Sequence, residues 1–339
     1  MHVGLFLTNQ HARGTDMVRA LEEQLRLVRL ARDGGWDSVF TGQHYLTPES
    51  TQLQTVPFLA RIAAEAGDLR LGTGVFLLTA ANPVAVAEDL ASLDVITRGR
   101  LIVGVGLGYR DAEFDAFGVE SGERVRRFEA NLDVVRRLWT GDPVSVDLPW
   151  CRLDRAVASV VPVQDGGPPV WIGATSDPAV RRAARLGDGW IINPSASAAN
   201  VERQTRLVDA ARGGGSRPFV MTAFKEVFCA PTRAEAVEVG APLMTRKYRH
   251  YATWGQGEAH PGRADLVDVD ANFASRRFIL GDPEECYREL SWWHEQVGVE
   301  NLLLRCHWVG SSLEQTERSV DLLAREVLPE LRRKALPAD

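Results

Sequence analysis

An imidazole flanked by an amide and a phenol, Gln43-His44-Tyr45, follows the apolar run Trp36 to Thr41. Histidine titrates near neutral pH and serves as general acid or base, and the end of a strand is where such a group reaches a substrate. A polar loop histidine with no chemical role fits the same residues. A second candidate is Gly72-Thr73-Gly74-Val75: a glycine inside a strand marks a bulge or a close ligand approach. A third is Gly104-Val105-Gly106-Leu107-Gly108-Tyr109. Alternating glycines there expose main-chain N–H groups to a flat or anionic group, and the spacing is not that of a dinucleotide fingerprint. A fourth is Ala174-Thr175-Ser176-Asp177-Pro178. Its hydroxyls open a helix, whose positive end suits a phosphate; helix capping alone explains them equally well. His250, His260 and His294 lack metal-ligand spacing and the strand ends lack a His/Asp cluster, so no metal site is expected.

These stretches need elements to hold them. Leu71 to Val119 reads as strand, helix, strand, with Asn82-Pro83 opening the helix and Thr97 to Arg100 closing it. The same alternation runs through the chain. Strands are expected at Val3 to Leu7, Trp36 to Thr41, Val75 to Leu78, Leu101 to Val105, Val170 to Gly173, Gly189 to Ile192, Pro218 to Cys229 and Asn301 to Arg305. Amphipathic helices lie between them, the first capped by Asp16. About eight strands alternating with helices predict a single (β/α)8 TIM barrel over residues 1–339, with insertions. Val144 to Pro169 reads as an irregular excursion. Glu235 to Asn272, after strand seven, is too long for an ordinary connection and reads as a lid-like insertion. Strand ends in such a barrel carry the working groups: Thr8 and Asn9, Gln43 to Tyr45, Leu78 and Thr79, Gly106 to Tyr109, Ala174 to Ser176, Asn193, Lys225 and Glu226, and Cys306 and His307.

Composition narrows the partners. The chain of 339 residues carries a net charge of −6, and its basic residues form only short pairs such as Arg126-Arg127; nucleic acid is an unexpected partner. No apolar run reaches membrane-spanning length and no signal peptide is evident, so no membrane partner is expected. The four cysteines form no CxxC pair, which points to reduced thiols in the cytoplasm.

The glycine-rich stretches, with Gln43-His44-Tyr45 and the Thr175-Ser176 turn, resemble the luciferase-like monooxygenase superfamily, flavin- or deazaflavin-dependent (β/α)8 barrels, over most of the chain. The resemblance implies reduced FMN that reacts with O2 to give a C4a-peroxide, which transfers oxygen to a small organic substrate. It assigns His44 to proton management beside the flavin and Gly74 and Val75, with a non-proline cis peptide, to one face of the ring. It places Gly108, Tyr109, Arg124, Thr175 and Ser176 around the phosphate. It also implies a separate flavin reductase and a homodimer. Two residues depart from the pattern. Gln43 stands where relatives often carry an acid beside the histidine, and Leu107 stands where an arginine often reaches the phosphate. Leu107 favours the alternative, an F420-dependent oxidoreductase transferring hydride; Gln43-His44-Tyr45 favours FMN. A non-catalytic flavin-binding barrel is the second alternative.

Overall fold

The computed structural model describes residues 1–215, 217–254 and 268–334. Eight parallel strands close a barrel: β1 (His2–Leu7), β2 (Ser38–Thr41), β3 (Arg70–Thr73), β4 (Leu101–Gly106), β5 (Val170–Ala174), β6 (Gly189–Ile192), β7 (Val220–Cys229) and β8 (Asn301–Arg305). Closure comes from Val170 pairing Val103 on one side and His2 pairing Asn301 on the other. The connecting helices pack their apolar faces on the outside of the strands and form the main core. Asp16 caps α1 (Met17–Asp33) by accepting from the Val18 and Arg19 N–H groups, and Asn82 caps α3 (Pro83–Ile96) in the same way from Val84. Between them, α2 spans Thr55–Ala63.

The barrel interior is a second, separate cluster of Phe6, Phe40, Ile102, Trp171, Ile191, Phe224 and Leu303. These side chains fit because glycines face them across the ladder. A Cβ on Gly72 would lie 2.2 Å from the Phe40 ring, one on Gly189 2.7 Å from Trp171, and one on Gly4 2.8 Å from Leu303. Each of those pairs is in register on adjacent strands.

Three expectations need correction. The run Val75 to Leu78 is not one strand: β3 ends at Thr73, the Gly74–Val75 peptide is cis, and Phe76–Leu77 forms a separate short strand beside β4. The Val144–Pro169 excursion contains an antiparallel hairpin, Val144–Leu148 with Cys151–Ala156. The stretch from Glu235, which reads as an insertion too long for an ordinary connection, opens as helix. After α4 (Asp111–Ala116), α5 (Arg124–Trp139), α6 (Asp177–Leu186) and α7 (Ala198–Arg212), the long α8 runs from Arg233 to Thr253, Pro242 included. Gly240 and Pro242 look like breakers in sequence. Packing overrides them: Ala236, Met244 and Tyr248 bury against Phe228, Phe278, Leu280 and Trp308. Gly240 lets the helix close on Leu280, which a Cβ would approach to 2.7 Å. The stretch Glu235 to Asn272, expected as a lid-like insertion, thus carries most of α8 and the start of the short α9 (Val269–Ala274), and its middle, 255–267, lies outside the described residues. A strand unseen in the sequence, Phe278–Gly281, pairs with the end of β7 and leads into α10 (Pro283–Val297).

Gly104 tests the interior packing. A Cβ there would sit 2.0 Å from the Thr73 carbonyl oxygen, a backbone atom that cannot swing aside. Gly104→Ala is expected to destabilise by about 3 kcal/mol in chemical unfolding, whereas Gly122→Ala, in open space, stays within about 0.5 kcal/mol. Equal midpoints for both would show that the interior has room to spare.

Candidate active site

Side chains alternate along a strand, so the next inward position lies two residues beyond each interior residue. Phe6, Phe40, Gly72, Gly104, Trp171, Ile191, Phe224 and Leu303 are followed in this way by Thr8, Gly42, Gly74, Gly106, Gly173, Asn193, Glu226 and Arg305. All of the second set except Glu226 line a cavity of about 350 Å³ at the C-terminal ends of the strands. The ring has two unlike halves. From β2 to β5 it is glycine four times over. Val75 fills the space those glycines leave: a Cβ on Gly106 would lie 2.5 Å from its Cγ2, and one on Gly173 2.9 Å from its Cγ1. From β6 round to β1 the ring is polar or charged.

His44 stands on the cavity wall beyond β2. Its Nδ1 lies 3.1 Å from Glu113 Oε1, on the short α4. The same oxygen accepts from the Tyr45 N–H at 2.8 Å and from Arg110 Nη1 at 3.1 Å. Arg110 also donates to the Tyr45 carbonyl at 2.6 Å, so one buried guanidinium fixes both the acid and the loop carrying the histidine. Burial by itself would raise the Glu113 carboxyl; the hydrogen bond and charge of His44, the Tyr45 N–H and Arg110 outweigh it and hold the group below its ordinary value. Gln43 does not partner the histidine. Its amide donates to Tyr45 Oη at 2.9 Å and accepts from the Leu77 N–H at 2.9 Å, tying the end of β2 to the segment after the cis peptide. The carboxylate missing beside His44 in sequence thus arrives from position 113.

The charged half centres on Glu226, which is fully buried. Its Oε1 accepts from Arg305 at 2.9 Å, from Tyr248 Oη at 3.0 Å and from Lys247, and its Oε2 accepts from Trp308 Nε1. Burial would raise this carboxyl, but Lys247 and Arg305 outweigh that and hold it well below its ordinary range. Burial and the Arg305 charge push the Lys247 ammonium down, with Glu226 opposing. Lys225, the neighbour along β7, faces the other way and lies 3.7 Å from the Trp293 ring. His307, expected among the working groups at the strand ends, is buried; its Nε2 accepts from the Thr8 N–H and burial keeps it neutral.

Of the residues singled out in sequence, His44, Gly74, Val75, Gly108, Tyr109, Thr175 and Ser176 all line the one cavity. Gly108 takes φ +84°, and the Tyr109 hydroxyl meets no partner among the described residues. Ser176 is the N-cap of α6, yet its side chain makes no capping bond, which leaves the hydroxyl for the cavity. Arg124 does not line the cavity. Its Nε donates to the Ser121 carbonyl at 3.0 Å, and its guanidinium lies 4.9 Å over the Phe114 ring. Sequence reading missed Glu113, Arg110, Lys247 and Arg305. Alternation offered a signal for the last, since Arg305 shares the inward phase of Leu303 just as Glu226 shares that of Phe224.

Glu226→Gln removes the only anion from a buried cluster with two cations. The variant is expected to lose about 3–5 kcal/mol, against less than about 0.5 kcal/mol for Glu314→Gln in the exposed pair with Arg318. Because the folded carboxyl titrates below its unfolded value, its contribution is present above pH 4.5 and lost as the pH falls below it. The gap between wild type and Glu226→Gln should therefore hold from pH 7 to 5 and narrow below. A gap that stays constant as the pH falls from 4.5 toward 2 would contradict the assignment.

Comparison with known proteins agrees with this geometry. The family model described as luciferase-like monooxygenase matches residues 1–300. A 4-hydroxyprotoasukamycin monooxygenase from Streptomyces nodosus subsp. asukaensis is 28% identical over 96% of this chain and 91% of its own. The crystal structure of monooxygenase RslO1 from Streptomyces bottropensis superposes with a TM-score of 0.88 at 26% identity, covering 97% of this chain and 99% of that one. An F420-dependent secondary alcohol dehydrogenase in complex with an F420–acetone adduct shares the fold, with a TM-score of 0.75 at 18% identity over 98% and 99% of the two chains. With strands β1 to β7 and the whole glycine-lined half of the cavity inside the matched region, the chain belongs to the luciferase-like monooxygenase family and is an oxidoreductase.

Proposed function

We propose that this chain is a monooxygenase that uses reduced FMN and O2 to place one oxygen atom in a small organic substrate. The observation that carries the reading is the His44–Glu113 pair on the wall of a cavity whose neighbouring floor is glycine and Val75. The residues present fit the cofactor. A planar ring needs a surface without protruding side chains, and Gly42, Gly74, Gly106 and Gly173 with Val75 provide one. A phosphate needs N–H and O–H donors at a helix start, and Thr175 and Ser176 offer them beside Gly108 and Tyr109. When bound, reduced FMN supplies the two electrons that let O2 give one atom to the substrate and the other to water.

The chain's own tasks are proton handling and exclusion of water. With Nδ1 held by Glu113, His44 has Nε2 left as the nitrogen for proton exchange with a bound molecule. Tyr109, Tyr251 and Trp254 surround the ring at 5.8, 6.3 and 5.3 Å between centroids, so the exchange takes place in an aromatic enclosure. No nicotinamide fingerprint is present, and the reading includes a separate reductase supplying reduced FMN, with the chain acting in the cytoplasm as a homodimer. Leu107 in the cavity wall favours the second reading, hydride transfer with F420, because it leaves the phosphate turn without an arginine.

Anaerobic titration with reduced FMN and, separately, reduced F420 decides between them. Micromolar binding of FMN alone is expected; binding of F420 alone would replace oxygen transfer by hydride transfer, tight binding without turnover would leave a non-catalytic flavin-binding barrel, and binding of neither would overturn the cofactor assignment itself. His44→Ala should bind reduced FMN within about threefold of wild type but slow proton-dependent reoxidation of the bound flavin by about 10²-fold in stopped-flow mixing with O2. An unchanged rate would remove His44 from the proton path.

A further inference from the structure

The charge at the far side of the cavity does not balance. Lys247 and Arg305 both line it, and each is ion-paired only to Glu226 among the described residues. Burial and the Arg305 charge push Lys247 down to about 7, so as the pH falls through neutrality two cations come to share one carboxylate, and both Glu226 oxygens are already engaged. The other polar groups at this end leave the excess untouched. Tyr248 and Tyr251 are phenols that burial keeps protonated, His307 is neutral, and Gln10 is an amide accepting from Tyr251 Oη. Glu113, the acid behind His44, is committed to His44 and Arg110. Arg305 is 8% exposed, and its Nε meets no partner among the described residues. A desolvated cation without its counter-charge is costly, so a site kept in this state is built for an incoming anion.

The surroundings describe the body of that anion. The Arg305 guanidinium lies 4.5 Å over Phe6 and 4.6 Å over Phe224, rings whose centroids are 4.3 Å apart. Phe6, Phe224 and Tyr251 all line the cavity. We propose that the substrate is a planar, largely apolar molecule carrying an acidic oxygen, a carboxylate or an ionised hydroxyl, and that Arg305 and Lys247 receive that oxygen. This rests on the monooxygenase reading only in calling the molecule a substrate. The site is built on strands β7 and β8 and helix α8, and Phe6 beneath Arg305 borders the glycine surface at Gly42 and Gly74, so a body stacked on Phe6 and Phe224 lies next to that surface. Specificity then arises because a neutral analogue leaves the excess charge unpaired.

The test uses 2-naphthoate and its neutral isostere 2-naphthamide, measured by calorimetry on the full chain saturated with FMN and on the chain alone. Naphthoate is expected to bind at least about tenfold more tightly. Arg305→Met and Lys247→Met should each erase that preference while leaving naphthamide binding unchanged, and Arg305→Lys should restore part of it. Each single Met variant keeps Glu226 paired with the remaining cation, so the fold is expected to persist, with thermal unfolding as the control. Absence of naphthoate binding, equal binding of the two probes, or a preference that survives both Met variants overturns the proposal. So does a loss of reduced-FMN affinity in those variants with naphthoate unaffected, because the cations would then serve the cofactor. A naphthoate preference in a chain that binds no FMN supports the anion site and refutes the monooxygenase reading alone.

Discussion

Large side chains inside an eight-stranded barrel must meet small ones across the ladder, and that constraint sets everything above it. Phe40 against Gly72, Trp171 against Gly189 and Leu303 against Gly4 fill the centre without a pore. The filled centre becomes the floor of the cavity. Strand alternation then dictates which residues stand on that floor, and four consecutive strands present glycine there. A substitution in the interior would thus shift the floor itself, because Gly104 and Gly106 are the same strand two residues apart, and Gly106 is where Val75 rests.

The two carboxylates of the site solve the same electrostatic problem in different ways. Each buries one oxygen under three donors: His44, Tyr45 and Arg110 for Glu113; Lys247, Tyr248 and Arg305 for Glu226. Around Glu113 one partner is a histidine, whose charge is optional, so the cluster tolerates a proton arriving or leaving. Around Glu226 the partners are Arg305 and a Lys247 pushed down to about 7, and the cluster carries a positive excess whenever that lysine holds its proton. The first arrangement suits proton exchange. The second suits holding an anion.

The barrel was legible in the sequence because its strands and helices are local patterns. β8 begins and ends where the apolar run Asn301 to Arg305 does, and the caps Asp16, Asn82 and Asp282 fix helix starts by chemistry within three residues of the cap. Glycines at 74, 106 and 108 and the hydroxyls at 175 and 176 announced the cavity for the same reason. The acid for His44 was not legible, because Glu113 reaches it across 69 positions of sequence. An acid was sought beside the histidine, at position 43, where the fold instead uses glutamine to tie two strand ends together. Lys247 was hidden differently: Gly240 and Pro242 made its helix look like loop, and only the tertiary packing of Met244 and Tyr248 reveals the element that carries it.

That helix joins the two halves of the chemistry. Lys247, Tyr251 and Trp254 recur at i, i+4 and i+7, one stripe along the C-terminal half of α8 and the residue that caps it. Lys247 meets Glu226, Tyr251 stacks on Trp254 with centroids 5.0 Å apart, and Trp254 lies 4.3 Å from the Arg110 guanidinium that orients Glu113. A single helix, with the residue that caps it, therefore touches the Glu226 cluster at one end and the Glu113 cluster at the other. The eight strands fix where a planar ring can lie. The helix after β7 contributes to both charged clusters, Lys247 to the one around Glu226 and Trp254 to the one around Glu113, so a change in the packing of α8 is felt in both.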